Sequence, residues 1–315
     1  MHNPMTRDGQ WEDRRLVERR GLRFALGIFW LIDAGLQAEG EKFTRDYPLG
    51  TLAQSVMGAP HWVNRSVFAG INPFVAHWPW WNLAGSLLQA TLGACLVSGK
   101  FTRTALGVSF AWAAVIWWLG EGFGILPTGF ALMAAGAPGA AVVYGLIGAL
   151  AWPRRGRRDV DRRAWGISWI LLWIGAAVLH FPFVYPAGQV LDANLSQLAS
   201  PSPRWLADTN SWFSGVSADH ALTVTFVLAS LELAVGVGWL VDRSRPRAWL
   251  GLGIVLSLFY WVVFQQLGGV FTPDATDLNL GPMMVLLALA AWPRSRLGNA
   301  RPAELEMRLR FRAVT

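Results

Sequence analysis

Eight stretches of this chain are apolar and almost free of charge: residues 22–40, 82–99, 104–123, 137–152, 165–185, 221–241, 248–268 and 280–293. A run of about twenty apolar residues can cross the hydrocarbon core of a bilayer. Only helices and closed barrels satisfy their backbone groups there, and these lengths are helical. The pattern therefore predicts an all-α membrane protein with eight transmembrane helices, the fourth and eighth being short. Composition agrees. Asp, Glu, Lys and Arg make up 15% of the chain, against about 25% in a soluble globule. Mean hydropathy is +0.34, which excludes a disordered chain.

A net charge of +7 could suggest a nucleic-acid partner, but the placement of the charges argues against one. Six Lys or Arg precede the first stretch or open it, two lie at 100–103, six at 154–163, three at 243–247 and six from 294 onward. All of these fall on one alternating side; the other side holds only Lys42, Arg45, Arg65 and Arg204. This asymmetry sets orientation and places both termini in the cytoplasm. The basic residues then meet the lipid bilayer and its anionic headgroups. About twenty mostly polar residues precede the first stretch, which contains Asp33, so it reads as an uncleaved helix rather than a signal peptide. Arg outnumbers Lys 25 to 2, a bias that fits a GC-rich bacterial genome and hence a bacterial plasma (inner) membrane. The lone Cys95 leaves no disulfide within the chain.

The halves repeat. Shifted by 143 residues, Trp30 falls on Trp173, Pro60 on Pro203, Trp62 on Trp205 and Gly93 on Gly236. Shifted by 144, Trp117 falls on Trp261, Thr128 on Thr272 and Pro138 on Pro282. Each half ends in Ala-Trp-Pro-Arg, at Ala151 and Ala291. The organisation is two tandem four-helix units in the same orientation, 22–153 and 165–293. They are flanked by a basic N-terminus (1–21), a basic linker (154–164) and a basic tail (294–315). An even number of spans per unit puts the pseudo-symmetry axis along the membrane normal. Each unit carries a long external segment after its first helix, 41–81 and 186–220. Their mixed polarity suggests amphipathic helices on the outer surface, or a lid over a cavity.

Ionisable groups inside the apolar stretches are few, and each is expensive there. They are Asp33, Glu121, His180 and Glu232, with Gln89 and Gln265 adding neutral polarity. No Lys or Arg lies deep in any stretch, so only His180 could serve as a basic partner. Repeat arithmetic aligns Glu232 with Gln89, Gln265 with Glu121, His180 with Gln37, and Asp33 with Ala176. Polar character recurs while the titratable member alternates. These six residues form the candidate intramembrane proton or ligand site; polar glue between helices is the alternative. Glu121 lies in Gly120-Glu121-Gly122, where glycines let the backbone bend. The apolar segment 125–137 after it reads as an outer loop at the interface, with a re-entrant loop as the alternative.

Only one histidine lies within a stretch, so no axial pair for haem is expected, and no zinc motif occurs. Met57, His61 and His77 offer a weak copper-type set on the outer face.

The four-helix unit, its long outer segment and its Trp/Gly-rich third helix resemble the DoxX-like (DoxD-like) integral membrane proteins. That family includes the membrane subunit of a thiosulfate:quinone oxidoreductase. The resemblance covers both halves as a tandem pair and implies a redox-associated subunit that binds a quinone or lipid-like ligand. A periplasmic or membrane partner would supply the electron carrier. If enzymatic, the chain would act as the membrane subunit of an oxidoreductase rather than alone. The residues also fit a proton- or cation-coupled small-molecule transporter, or a non-catalytic membrane scaffold or assembly factor.

Overall fold

The structure is a computed structural model that describes residues 16–52, 55–129, 131–156, 159–180, 203–242 and 244–293. The α-helices are α1 (Arg19–Gln37), α2 (His61–Val75), α3 (Trp78–Ser98), α4 (Thr102–Val115) and α5 (Ala140–Ala151), followed by α6 (Arg162–His180), α7 (Arg204–Val241), α8 (Pro246–Val263) and α9 (Leu280–Ala291). No strand occurs among the described residues. Each of the eight apolar stretches coincides with one of these helices. Three helices, α6, α7 and α8, are long and apolar enough to cross a membrane.

Helical periodicity explains which residues face inward. In α1 the buried stripe runs through Leu22, Leu26, Gly27, Trp30, Asp33 and Ala34, at spacings of three and four. Asp33 is thus carried inside by the same register that buries Trp30. In α3 the buried stripe is polar at one end (Asn82, Ser86, Gln89) and apolar at the other (Leu92, Gly93, Leu96). The apolar end packs against α1. A Cβ on Gly93 would lie 2.6 Å from Leu31 Cγ and 2.8 Å from Gly27 O, so only glycine permits this approach. The α6–α7 pair repeats the device: a Cβ on Gly236 would lie 2.8 Å from Ile174 Cγ1.

Two ends of helices differ from the expected spans. The third stretch is α-helical only to Val115, then forms a π-helical turn, Ile116–Gly120, that leads into Glu121. The seventh ends as α-helix at Val263, short of Gln265. Both chains turn out of the helix through residues with positive φ, Gly122 to Ile125 and Gln266 to Gly269. Helix α7 bends at His220, whose φ of −132° is non-helical. The bend separates an outer arm from the apolar part that starts at residue 221, where the sixth span was expected to begin. The first part of the second external segment, 186–202, lies outside the described residues.

The long segment after α1, expected to be external, folds over the bundle through α2. The inner face of α2 (Val63, Val67, Ile71) packs with Val56 and against Trp118 and Leu119. The Trp118 indole donates to Ser66 Oγ at 2.8 Å. The other face leaves Trp62 exposed. The helix is therefore amphipathic, and Ile71 with the adjacent Phe74 roofs a cavity. The later part of segment 125–137 does not lie on the surface: Leu132, Met133 and Ala134 sit in the main core, whereas Leu126 is exposed. Its carbonyls at Met133 and Ala134 accept from Gln265 Nε2 at 3.3 and 3.2 Å. Backbone that leaves the helical ladder needs such partners when buried.

Candidate functional site

The polar ends of α1 and α3, the end of α4 and the start of α5 converge at one end of the bundle. There they enclose a cavity of about 360 Å³. Asp33, Gln37, Asn82, Gln89, Glu121 and Tyr144 reach it, together with Asp274 and Asp277 from the loop before α9. Aromatic walls come from Trp30, Tyr47, Phe74, Trp78, Trp81 and Trp112. No Lys, Arg or His is among its described lining residues. The opposite end of the bundle has the reverse character: a hollow of about 590 Å³ is lined by Arg162, Arg163, Trp165 and Trp239.

Asp33 is almost fully buried. The Tyr144 hydroxyl donates to its Oδ2 at 2.6 Å. Its Oδ1 has no hydrogen-bond partner among the described residues, nor do Gln89 Oε1 and Glu121 Oε2. Glu121 Oε1 accepts from Ala141 N at 2.9 Å, so this carboxylate caps the start of α5, where the helix dipole favours negative charge. Gly139 (φ +105°) makes room for it: a Cβ there would lie 2.1 Å from Glu121 Oε2. Gln37 and Asn82 hold each other, Gln37 Nε2 donating to Asn82 Oδ1 and Asn82 Nδ2 to Gln37 O at 3.0 Å. At the rim, burial pushes the Asp277 carboxyl above the usual carboxylate range. The Asn279 N–H (2.5 Å) and Thr276 hydroxyl (3.2 Å) oppose that shift only in part. Burial likewise raises the Tyr47 phenol.

His180 and Glu232 belong to a different cluster. His180 Nδ1 lies 2.9 Å from Glu232 Oε2. The Tyr260 hydroxyl donates to Glu232 Oε1 at 2.8 Å. All three side chains are sealed in the core of the second half, and none lines the cavity. Gln265 belongs to neither group. Besides holding Met133 and Ala134, its Oε1 accepts from Gly281 N at 3.2 Å, at the start of α9.

The six candidates therefore do not form one site. Asp33, Gln89 and Glu121 share the cavity, His180 and Glu232 pair elsewhere, and Gln265 ties a loop to two elements. The outer-face copper set fails on distance. His61 and His77 stand at opposite ends of α2. Sixteen residues at 1.5 Å each hold their backbones roughly 24 Å apart.

The sequence reading passed over the tyrosines. The chain has only four, and two of them, Tyr144 and Tyr260, donate to the two buried carboxylates. A rare phenol inside an apolar helix, whose hydroxyl needs a partner when buried, was the available signal. Comparisons with protein families, with characterised proteins and with solved structures find no match.

Proposed function

We propose that the chain is a polytopic membrane protein that binds a small ligand in the cavity of its first unit and couples that binding to protons or cations. In this reading it has eight spans in two tandem four-helix units and both termini on the basic, cytoplasmic side. It sits in a bacterial inner membrane as a coupled small-molecule transporter. Matching hydrogen bonds support the duplication. Glu121 caps α5 at Ala141 as Gln265 reaches α9 at Gly281, 140 residues on. The Trp117 indole donates to Pro138 O and the Trp261 indole to Leu278 O, both spanning a helix end and the next helix start. Opposite polarity at the two ends of the bundle supports the orientation.

The observation that carries the functional reading is the concentration of carboxyls in one cavity with no basic residue among its described lining residues. Such groups reward a proton or a cation and repel anions. Solid-supported membrane recordings test it. Rapid exchange among a panel of amines, amino acids, sugars and carboxylates should give a transient current for one class in wild type and none in Asp33→Asn. Silence across the panel would remove the transport reading.

A second reading, a quinone-linked redox subunit as in the DoxX-like proteins, draws support from the flat indole walls of the cavity. A quinone ring accepts hydrogen bonds, and Trp112 Nε1 and the Tyr47 hydroxyl are unpartnered donors in the lining; the other three unpartnered atoms there, on Asp33, Gln89 and Glu121, are acceptors that a quinone does not satisfy. An enriched quinone in native nanodiscs of wild type, lost in Asp33→Asn, would reverse the order of the two readings.

A further inference from the structure

We infer that the cavity of the first unit is a site for an organic ammonium ion, a protonated amine on a small aromatic or branched hydrocarbon body. The inference rests on the proposed reading of this cavity as a ligand site and names the chemistry of the ligand.

Three observations lead there. The first is the set of unpartnered acceptors. Asp33 Oδ1 and Gln89 Oε1 belong to side chains only 3% and 6% exposed, and both line the cavity with Glu121 Oε2. A buried acceptor without a donor costs about 1–3 kcal/mol, which a ligand with several N–H donors removes. An ammonium group carries up to three. The second is the wall. Trp30, Trp78, Trp81 and Trp112 line the same space, and indole faces attract cations and apolar bodies alike. The third is the missing counter-charge: Asp33, Glu121 and Asp277 line the cavity with no cationic side chain among its described lining residues. In the second half His180 Nδ1 stands 2.9 Å from Glu232 Oε2, a counter-charge when that imidazole is protonated.

Other ligand classes fit less well. An anion meets four carboxyls. A sugar needs donors and acceptors together, and of the three amides in the lining Gln37 and Asn82 hold each other, which leaves Gln89 alone to offer both. A divalent metal needs six or more oxygens at close range, whereas aromatic rings make up much of this lining. The volume, about 360 Å³, is at the small end for ligand pockets and limits the body to about one ring.

The test is a titration of the full-length protein in nanodiscs at pH 7.5, read by intrinsic tryptophan fluorescence. The probes are phenethylamine, which is protonated, 2-phenylethanol, its neutral analogue, and phenylacetate, its anionic one. The amine should bind at least about tenfold more tightly than the alcohol, the scale of one desolvated cation–aromatic contact with a charge partner. Phenylacetate should not bind. Asp33→Asn should abolish the preference, and Glu232→Gln should keep it. Equal affinity for amine and alcohol in wild type overturns the inference, whatever the variants do. So does an unchanged preference in a folded Asp33→Asn, or saturable calcium binding that excludes the amine. Amine preference without any transport current would retain this inference and discard the transport reading. Current carried by some other class, with no amine preference, would do the reverse.

Discussion

Two buried carboxylates sit in the two halves of this molecule, and they are handled differently. Asp33 and Glu232 each accept from a tyrosine hydroxyl, Tyr144 at 2.6 Å and Tyr260 at 2.8 Å. Beyond that the environments diverge. Glu232 has the His180 ring nitrogen 2.9 Å from its second oxygen, an ion pair when the imidazole is protonated although no hydrogen bond forms there, and it is sealed in the core. Asp33 has no partner on its second oxygen, which belongs to a side chain lining a cavity. A charge taken out of water must be neutralised or paired. The second half does this with its own histidine. In the proposed reading, the first half leaves that task to a proton or a ligand. On that reading, the difference separates a structural pair from a binding site more sharply than residue type does, because both are acids inside apolar helices.

The comparison breaks most visibly on stability. Removing one member of a buried pair strands the other, at a cost of about 3–5 kcal/mol. His180→Ala should therefore lower the unfolding free energy by that amount in a denaturant titration in detergent micelles. Asp33→Asn should cost far less or stabilise, since it removes a charge that no cationic side chain among the described lining residues balances. Equal losses in the two variants would mean that both acids are structural. Gly139→Ala comes next. It forces a side chain into a backbone conformation with φ of +105° and against Glu121, costing about 1–3 kcal/mol. It should also weaken ligand binding, because the carboxylate that caps α5 must move; binding at wild-type strength would take Glu121 out of the site.

Gln265→Leu sharpens the comparison between its equivalent positions. It strands the carbonyls of Met133 and Ala134 and the N–H of Gly281. A loss of about 1–3 kcal/mol in unfolding free energy with unchanged ligand affinity is expected, whereas Glu121→Gln should keep the cap on α5 and weaken the ligand. The smallest effect is a pH dependence at the rim. Burial raises the Asp277 carboxyl above its unfolded value of 3.8, so folding favours its protonated form. Its contribution is favourable at low pH and is lost as pH rises from the ordinary carboxylate range through the raised value. Asp277→Asn should therefore flatten the decline in melting temperature over that window; an identical slope in the variant would assign the decline to another group.

Much of the architecture was legible in the sequence because it depends on local terms. Length and apolarity marked all eight helical segments. The turn out of the third stretch was signalled by Gly120 and Gly122 around Glu121, although the helix ends earlier than hydropathy suggested. Repeat offsets aligned Glu121 with Gln265, and in the structure each accepts from a backbone N–H at the start of the following apolar helix. The candidate site was legible only as a set of residue types. Nothing along the chain separates Gln89, which lines the cavity, from Gln265, which ties a loop.

The sequence by itself determined that the few acids within apolar stretches must find an unusual environment, since desolvation penalises charge wherever the fold puts it. Only the tertiary structure decided what that environment is. Helix packing brought Tyr144, more than a hundred residues away, onto Asp33, and His180 and Tyr260 onto Glu232. It also set the loop bearing Asp274 and Asp277, from the second half, against a cavity built by the first. Whether a buried acid is paired or left open is a property of side chains that meet across helices. Their meeting is fixed by crossing geometry and close glycine contacts rather than by any local pattern.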